Sequence, residues 1–356
     1  MATQRTLVPS RTIRATPSLA GGGQDPYMLV DEAYRAISKG SRSFAMASKL
    51  FDSVTRENAW LLYAWCRRCD DIADAQDMGG RLGGQENAPA RVKAIRALTT
   101  RALDGYPTAD PAFDGFGMVA SEVAITEAMA DDLIEGFELD AQGWKPETEA
   151  DMLTYCYHVA GSVGVMMARV MRAPRDEWLL DRACDLGLAF QLANIARDVV
   201  EDWEAGRCYL PAEWLAEAGI PEGAQGDPAY RQELAGLMQR HIALMEQYEA
   251  AARLGAAQLT FRNRWAVLAA ARIYGAIGRK VRRRGAKAWK RRARIGKAAK
   301  LRHVTAAFFE ASRNKPHAPA RMPALSRGDL APVRENDGWD EEEYTGRPLP
   351  PDEALV

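Results

Sequence analysis

The residues of this chain best placed to do chemistry are carboxylates and amides at helical spacing. In Arg67-Arg68-Cys69-Asp70-Asp71-Ile72-Ala73-Asp74, the acids Asp70 and Asp74 stand four apart, so a helix stacks them on one face about one turn from each other. Two like charges so placed repel, by roughly a few tenths of a kcal/mol. Acids near a helix C-terminus also oppose the macrodipole, so a cation is needed nearby. Alone, such a pair reads first as a solvated acidic face balanced by Arg67 and Arg68. A second stretch shifts the balance, because Gln191, Asn194, Asp198 and Asp202 follow i, i+3, i+7, i+11 spacing and build one polar stripe. Its neighbours Leu186 to Phe190, Leu192, Ala193, Ile195 and Ala196 are apolar, so the stripe is expected to face an internal cavity.

An oxygen-only donor set with no Cys/His cluster selects a hard cation, Mg²⁺ first and Mn²⁺ as its substitute. Mg²⁺ keeps several waters and bridges carboxylates to phosphates, so the pattern predicts binding of a diphosphate and stabilisation of the charge that grows as it departs. Arg67, Arg68, Arg197 and Arg207 lie where guanidinium groups could contact the same phosphates.

Two long helices must carry these groups. The first is expected over Thr55 to Asp74, after the N-cap candidates Asp52-Ser53 and before a Gly-rich loop at Gly79-Gly80 and Gly83-Gly84. The second is expected from Trp178 to about Glu204, stopping at Gly206. Apolar positions recur every three or four residues from Tyr27 to about Ser312, which predicts an all-α fold in a single domain over 27–312. Residues 1–26 read as a disordered tail with a faint transit-peptide flavour, and 313–356, Pro-rich and acidic, as a flexible one.

With 47 Lys+Arg against 48 Asp+Glu, the chain has no overall nucleic-acid footprint and no nucleic-acid partner is expected. Five cysteines and no secretory apolar region point to a reducing cytoplasm. The stretch Trp265 to Gly278 is too short to span a bilayer and contains Arg272. The segment 279–302 holds thirteen Lys or Arg and no acid, which reads either as a cationic face for anionic lipid at the cytoplasmic membrane or as a solvated basic helix contributing Arg292 to a phosphate. Cys66-x-x-Cys69 has no second ligand pair, His158 reads as a packed polar residue, and Gly161-x-x-Gly164 as a small-residue pair for close packing or cavity space.

Five segments together resemble a known family. They are Gly40-Ser41-Arg42-Ser43-Phe44; Leu62 to Arg67 running into Asp70-Asp71-Ile72-Ala73-Asp74; Tyr155 to Gly164; Gln191 to Asp198 through Glu201-Asp202 to Pro211; and Tyr274 to Gly278 through Trp289 to Leu301. The chain is similar over roughly 30–305 to the head-to-head prenyl diphosphate synthases that make phytoene, dehydrosqualene and squalene, and most to the bacterial phytoene synthase branch. The resemblance implies an all-α bundle of isoprenoid-synthase type around a deep apolar cavity. It implies Asp70, Asp74, Asn194, Asp198 and Asp202 as magnesium side chains, and Gln191 as a contact to diphosphate or metal. It places Ser41, Arg42, Ser43, Phe44, Tyr63, Arg67, Arg197 and Tyr274 against diphosphate or prenyl chain, and Tyr155, Val159, Ala160, Val163 and Gly164 in the cavity lining. Ser162 stands where the family more often has a small aliphatic residue or Thr.

The activity implied is condensation of two geranylgeranyl diphosphates through a cyclopropylcarbinyl (prephytoene) diphosphate to phytoene, with two diphosphates released. Tyr155 or the released diphosphate takes the protons. C30 dehydrosqualene or squalene synthesis is the alternative within the class, the latter requiring NADPH, which is not expected here. A noncatalytic helical module binding lipid or protein is the alternative outside it.

Overall fold

A computed structural model of the chain describes residues 18–77, 82–174, 176–316 and 321–331. Among the described residues every regular element is helical. They are α1 (Pro26–Gly40), α2 (Arg42–Ala47), α3 (Ser53–Ala73), α4 (Ala88–Leu103), α5 (Pro111–Val123), α6 (Glu127–Ala141), α7 (Glu149–Cys156), α8 (Ser162–Val170), α9 (Glu177–Glu204), α10 (Ala212–Glu217), α11 (Arg231–Ala256), α12 (Phe261–Arg284), α13 (Lys297–Arg313) and the short turn α14 (Arg327–Leu330).

The two helices that matter most begin as their sequences require. Asp52 caps α3, its carboxylate accepting from the Thr55 N–H at 3.0 Å. Asp176 caps α9 in the same way through the Trp178 N–H, also at 3.0 Å. Between α7 and α8 the chain does not continue as a regular α-helix. Tyr157–Gly161 form a π turn, the wider ladder that often marks a working site.

Small residues let this turn approach α9. A Cβ on Gly187 would lie 2.2 Å from the Ala160 carbonyl oxygen, and one on Gly164 would lie 2.3 Å from that of Ala183. Both positions therefore require glycine for backbone contact, so Gly164 serves close packing against α9 while also lining the cavity. On the other side α11 fastens α9, the buried His241 Nε2–H donating to the Leu192 carbonyl at 2.8 Å. Burial lowers the His241 pKa to about 4, which keeps the ring neutral. His158 is likewise structural, its Nδ1–H donating to the Asp132 carbonyl at 2.8 Å.

Two buried clusters build the interior. One joins α1, α3, α5 and α6 around Trp65, Phe113 and Phe116; the other joins α7, α9 and α11 around Leu188, Leu192 and Tyr248. An apolar cavity of about 340 Å³ lies at the seam between them.

The ends depart from expectation. Residues 18–21 already form a 3-10 turn ahead of α1, inside the stretch expected to be a disordered tail. At the other end, 321–331 falls within the stretch expected to be flexible yet folds back on the bundle. Leu330 is buried, Arg327 pairs with Glu177 and Asp181 of α9, and the Tyr248 hydroxyl donates to the Leu325 carbonyl at 3.1 Å. Residues 1–17 and 332–356 lie outside the described residues.

Candidate active site

The C-terminal ends of α3 and α9 meet at one end of the cavity. The cation that the acidic pair of α3 needs comes from the chain following α9: the Arg207 guanidinium pairs with the Asp74 carboxylate. Arg67 reaches back along α3 to Asp70 at 2.9 Å and Asp71 at 3.0 Å. Gln76 adds an amide donor to Asp74 at 3.2 Å. On α9, Asp198 accepts from Arg197 Nε at 2.8 Å and from Arg292, distant in sequence, at 2.7 Å. The Trp289 indole donates to the Ala196 carbonyl at 3.0 Å and holds the Arg292 segment against α9.

Charge at this end is not balanced. Among the described residues the Asp202 carboxylate has no hydrogen bond or ion pair; burial first, then the Asp198 charge, push it up to about 7. Burial also lifts Asp70 to about 6, with Arg67 opposing and Asp74 adding to the rise. Such a surplus of partly desolvated carboxylate favours a cation. No three His, Cys, Asp or Glu side chains converge tightly enough to cage an ion among the described residues. A donor set of separated carboxylates with an amide suits a hard ion that retains water and takes its remaining ligands from phosphate.

Below the acids the wall turns apolar. Leu179, Arg182, Ala183, Leu186, Gly187, Phe190, Gln191 and Asn194 all line the cavity, one continuous face of α9. From Leu179 to Asn194 this face is about 22 Å long at ~1.5 Å per residue. Gln191 and Asn194, linked at 3.3 Å, mark where polar stripe meets apolar wall. Val159, Ala160, Val163 and Gly164 also line the cavity, with Phe44, Tyr63 and Tyr274. Tyr274 stacks on Phe190 at 4.2 Å between centroids and on Phe44 at 5.3 Å, and burial raises its hydroxyl and that of Tyr63 to about 12. Ser41 caps α2 at the Phe44 N–H, and Ser43 accepts from Lys300 at 2.6 Å. The Arg42 side chain lies outside the described residues.

Tyr155 differs from expectation. It is not on the cavity wall but buried behind it, donating to Asp140 at 3.0 Å and stacked on Tyr209, which donates to the other Asp140 oxygen at 2.8 Å. Burial, reinforced by the Asp140 charge, raises the Tyr155 hydroxyl well above its ordinary value, so it is no base for protons on a chain in the cavity. Asp140 itself is an acid that spacing did not reveal; its one signal is its place between Leu139 and Ala141 on an otherwise acidic helix. Arg207 acts on the same group, holding Asp140 and Asp74 in one field.

The basic segment 279–302 is not one exposed helix. Arg279 pairs with Glu249 at 2.7 Å and Arg282 with Glu246 at 2.7 Å, while Lys280 and Arg284 donate to backbone carbonyls. Its outward charge is carried by residues such as Arg283, Lys287, Lys290 and Arg291.

A helical bundle enclosing a long apolar slot, with carboxylates and arginines gathered at one end, defines a class of helical enzymes that hold a hydrocarbon chain by its charged head. The chain belongs to the squalene/phytoene synthase family, whose model matches residues 37–299. Among its relatives, a phytoene synthase of Pseudescherichia vulneris is 45% identical over 289 residues, covering 81% of this chain and 93% of that one. A 15-cis-phytoene synthase of Pantoea ananas is 43% identical, covering 82% and 95%. Among solved structures, a dehydrosqualene synthase in complex with ligand superposes with a TM-score of 0.71 at 25% identity, covering 80% of this chain and 97% of that one. A squalene synthase from Alicyclobacillus acidocaldarius gives 0.66 at 20% identity over 77% and 98%, a likeness of fold.

Proposed function

We propose that this protein is a phytoene synthase, a prenyltransferase of carotenoid biosynthesis that condenses two geranylgeranyl diphosphates head to head through prephytoene diphosphate. The observation that carries the reading is the cavity: one apolar slot headed by both acidic motifs. Its relatives at 43–45% identity support the same activity.

Cavity length bears on the substrate. A geranylgeranyl chain, about 16 carbons along its backbone at roughly 1.3 Å per bond, extends about 19 Å, and a farnesyl chain about 14 Å. The ~22 Å cavity-lining face of α9, apolar below Gln191 apart from Arg182, accommodates the longer chain with the diphosphate at Asn194, which favours C20 over the C30 alternatives made from C15 chains.

Asp70, Asp74, Asn194, Asp198 and Asp202 would hold Mg²⁺, which supplies Lewis acidity to a departing diphosphate. The chain's own residues do the rest. Arg67, Arg197, Arg207 and Arg292, now held by aspartates, are placed to exchange those partners for phosphate oxygens. Phe44, Tyr63, Phe190 and Tyr274 offer ring faces beside the head of the chain, where a developing allylic cation is stabilised by π density. The apolar walls exclude water that would otherwise capture that cation. With Tyr155 behind the wall, the released diphosphate is the remaining proton acceptor of the two.

We place the enzyme in the cytoplasm, in peripheral contact with the membrane that receives its product. Among the described residues no helix is long and apolar enough to cross a membrane. Incubation of purified protein with Mg²⁺ and geranylgeranyl diphosphate, without NADPH, is expected to release diphosphate and yield phytoene. Asp70→Asn and Asp198→Asn are expected to lower turnover at least ~10³-fold while circular dichroism stays unchanged. Near-normal turnover in either contradicts the metal assignment, and a folded wild type giving neither product overturns the reading.

A further inference from the structure

We infer that the outer face of α13, with the first turn of α12, is the surface by which this protein lies on an anionic lipid bilayer. Leu301 is 66% exposed, Phe309 55%, Phe261 39% and Phe308 38%, among the largest exposures of apolar side chains in the molecule. The three phenylalanines are contiguous. Leu301, Phe308 and Phe309 fall at i, i+7 and i+8 and share one side of α13. Phe308 meets Phe261 edge-on at 5.6 Å and Phe309 at 5.7 Å.

Charge around the patch has one sign. From Phe261 to Arg313 the only acid in the sequence is Glu310. It is turned inward, ion-paired with Arg272 at 2.6 Å and with Arg253. The helical projection sets Arg302 and Arg313 along one edge of the apolar stripe and Lys297 along the other. An apolar strip bordered by cations is the composition of a helix lying in a bilayer interface.

The patch also adjoins the cavity. α12 is a shared wall: Ala266, Val267 and Ala270 line the slot, while Trp265 at the same level meets Phe308 at 5.2 Å and anchors α13 by donating to the Val304 carbonyl at 2.9 Å. Lipid on this face would lie one helix away from a hydrocarbon product. This surface takes from the basic 279–302 segment only its last residues, Lys297 to Arg302 at the start of α13, and it rests on the proposed activity only in that the product is apolar.

The test is flotation of the full chain with phosphatidylcholine vesicles, with and without phosphatidylglycerol. Wild type is expected to float with the anionic vesicles and weakly with neutral ones. Leu301→Ser/Phe309→Ser is expected to weaken partition at least about tenfold, with Leu301→Ser alone as the milder variant if the double one loses helical signal. Arg302→Gln/Arg313→Gln should remove much of the anionic preference. Diphosphate release from substrate in detergent should be unchanged in all three, which separates this result from failure of the reaction itself. Three outcomes overturn the inference: a wild type that does not float; a Leu301→Ser/Phe309→Ser variant that floats like wild type; or a wild-type dimer by ultracentrifugation that the same pair converts to monomer without vesicle binding, which assigns the face to a second copy.

Discussion

At the scale of single residues, the mouth of the cavity is a set of carboxylates held by arginines with negative charge left over. Burial pushes Asp70 up to about 6 and Asp202 up to about 7, and lifts Asp185, deeper on α9 and ion-paired with Arg182 at 2.6 Å, to about 7 as well, from an ordinary value of 3.8. In the metal-free protein these groups bind more protons folded than unfolded, so folding stability falls as pH rises between about 4 and 7. Thermal unfolding in EDTA should therefore give a higher midpoint near pH 5.5 than near pH 8. Mg²⁺ with inorganic diphosphate should raise the midpoint more at the higher pH, where the carboxylates are free of protons. A midpoint that climbs steadily with pH in EDTA contradicts this picture. Spacing alone made the acids legible, because a helix converts i, i+4 and i, i+7 directly into a shared face. It could not reveal Asp140, a lone acid whose partners Tyr155 and Tyr209 come from other elements, nor that Tyr155 points away from the slot.

Among the elements, α9 does most of the positioning, since one of its faces is cavity wall and its flanks are clamped by α11 and the π turn. That clamp depends on two missing side chains. Gly187→Ala would drive a methyl into the Ala160 carbonyl, at a cost of about 1–3 kcal/mol. Because the displaced backbone is cavity lining, turnover should fall as well. Gly236→Ala in α11 is the contrast: nothing lies within 4 Å of the added methyl, so helix propensity alone should stabilise by about 0.5–1 kcal/mol with activity unchanged. Urea denaturation of the two variants reads both signs. Caps and apolar periodicity made α3 and α9 legible to within two residues at their ends. The π turn left no such trace, because Tyr157–Gly161 carry helical periodicity and the extra residue per turn is imposed by contact with α9.

For the whole molecule, the unexpected closure is the return of 321–331 to the bundle. Composition hid it, since the segment lacks any periodicity and is anchored by single contacts: Leu330, Arg327 and the carbonyl of Leu325. Leu330→Ala is expected to cost about 2 kcal/mol. Protection of α9's first turns in hydrogen exchange should drop with it, because Arg327 ties Glu177 and Asp181; unchanged exchange there would show the segment to be ornamental. The cavity has a consequence of a different kind. One isoprene unit adds about four backbone carbons, roughly 5 Å, which nearly equals the ~5.4 Å pitch of an α-helix. A prenyl chain lying along α9 thus advances one building block per turn, from Asn194 through Phe190, Leu186 and Arg182 towards Leu179. On the proposed placement of the substrate the helix is graduated in the monomer, so a single bulky side chain, moved three or four positions along it, is expected to change the admitted length by one whole unit.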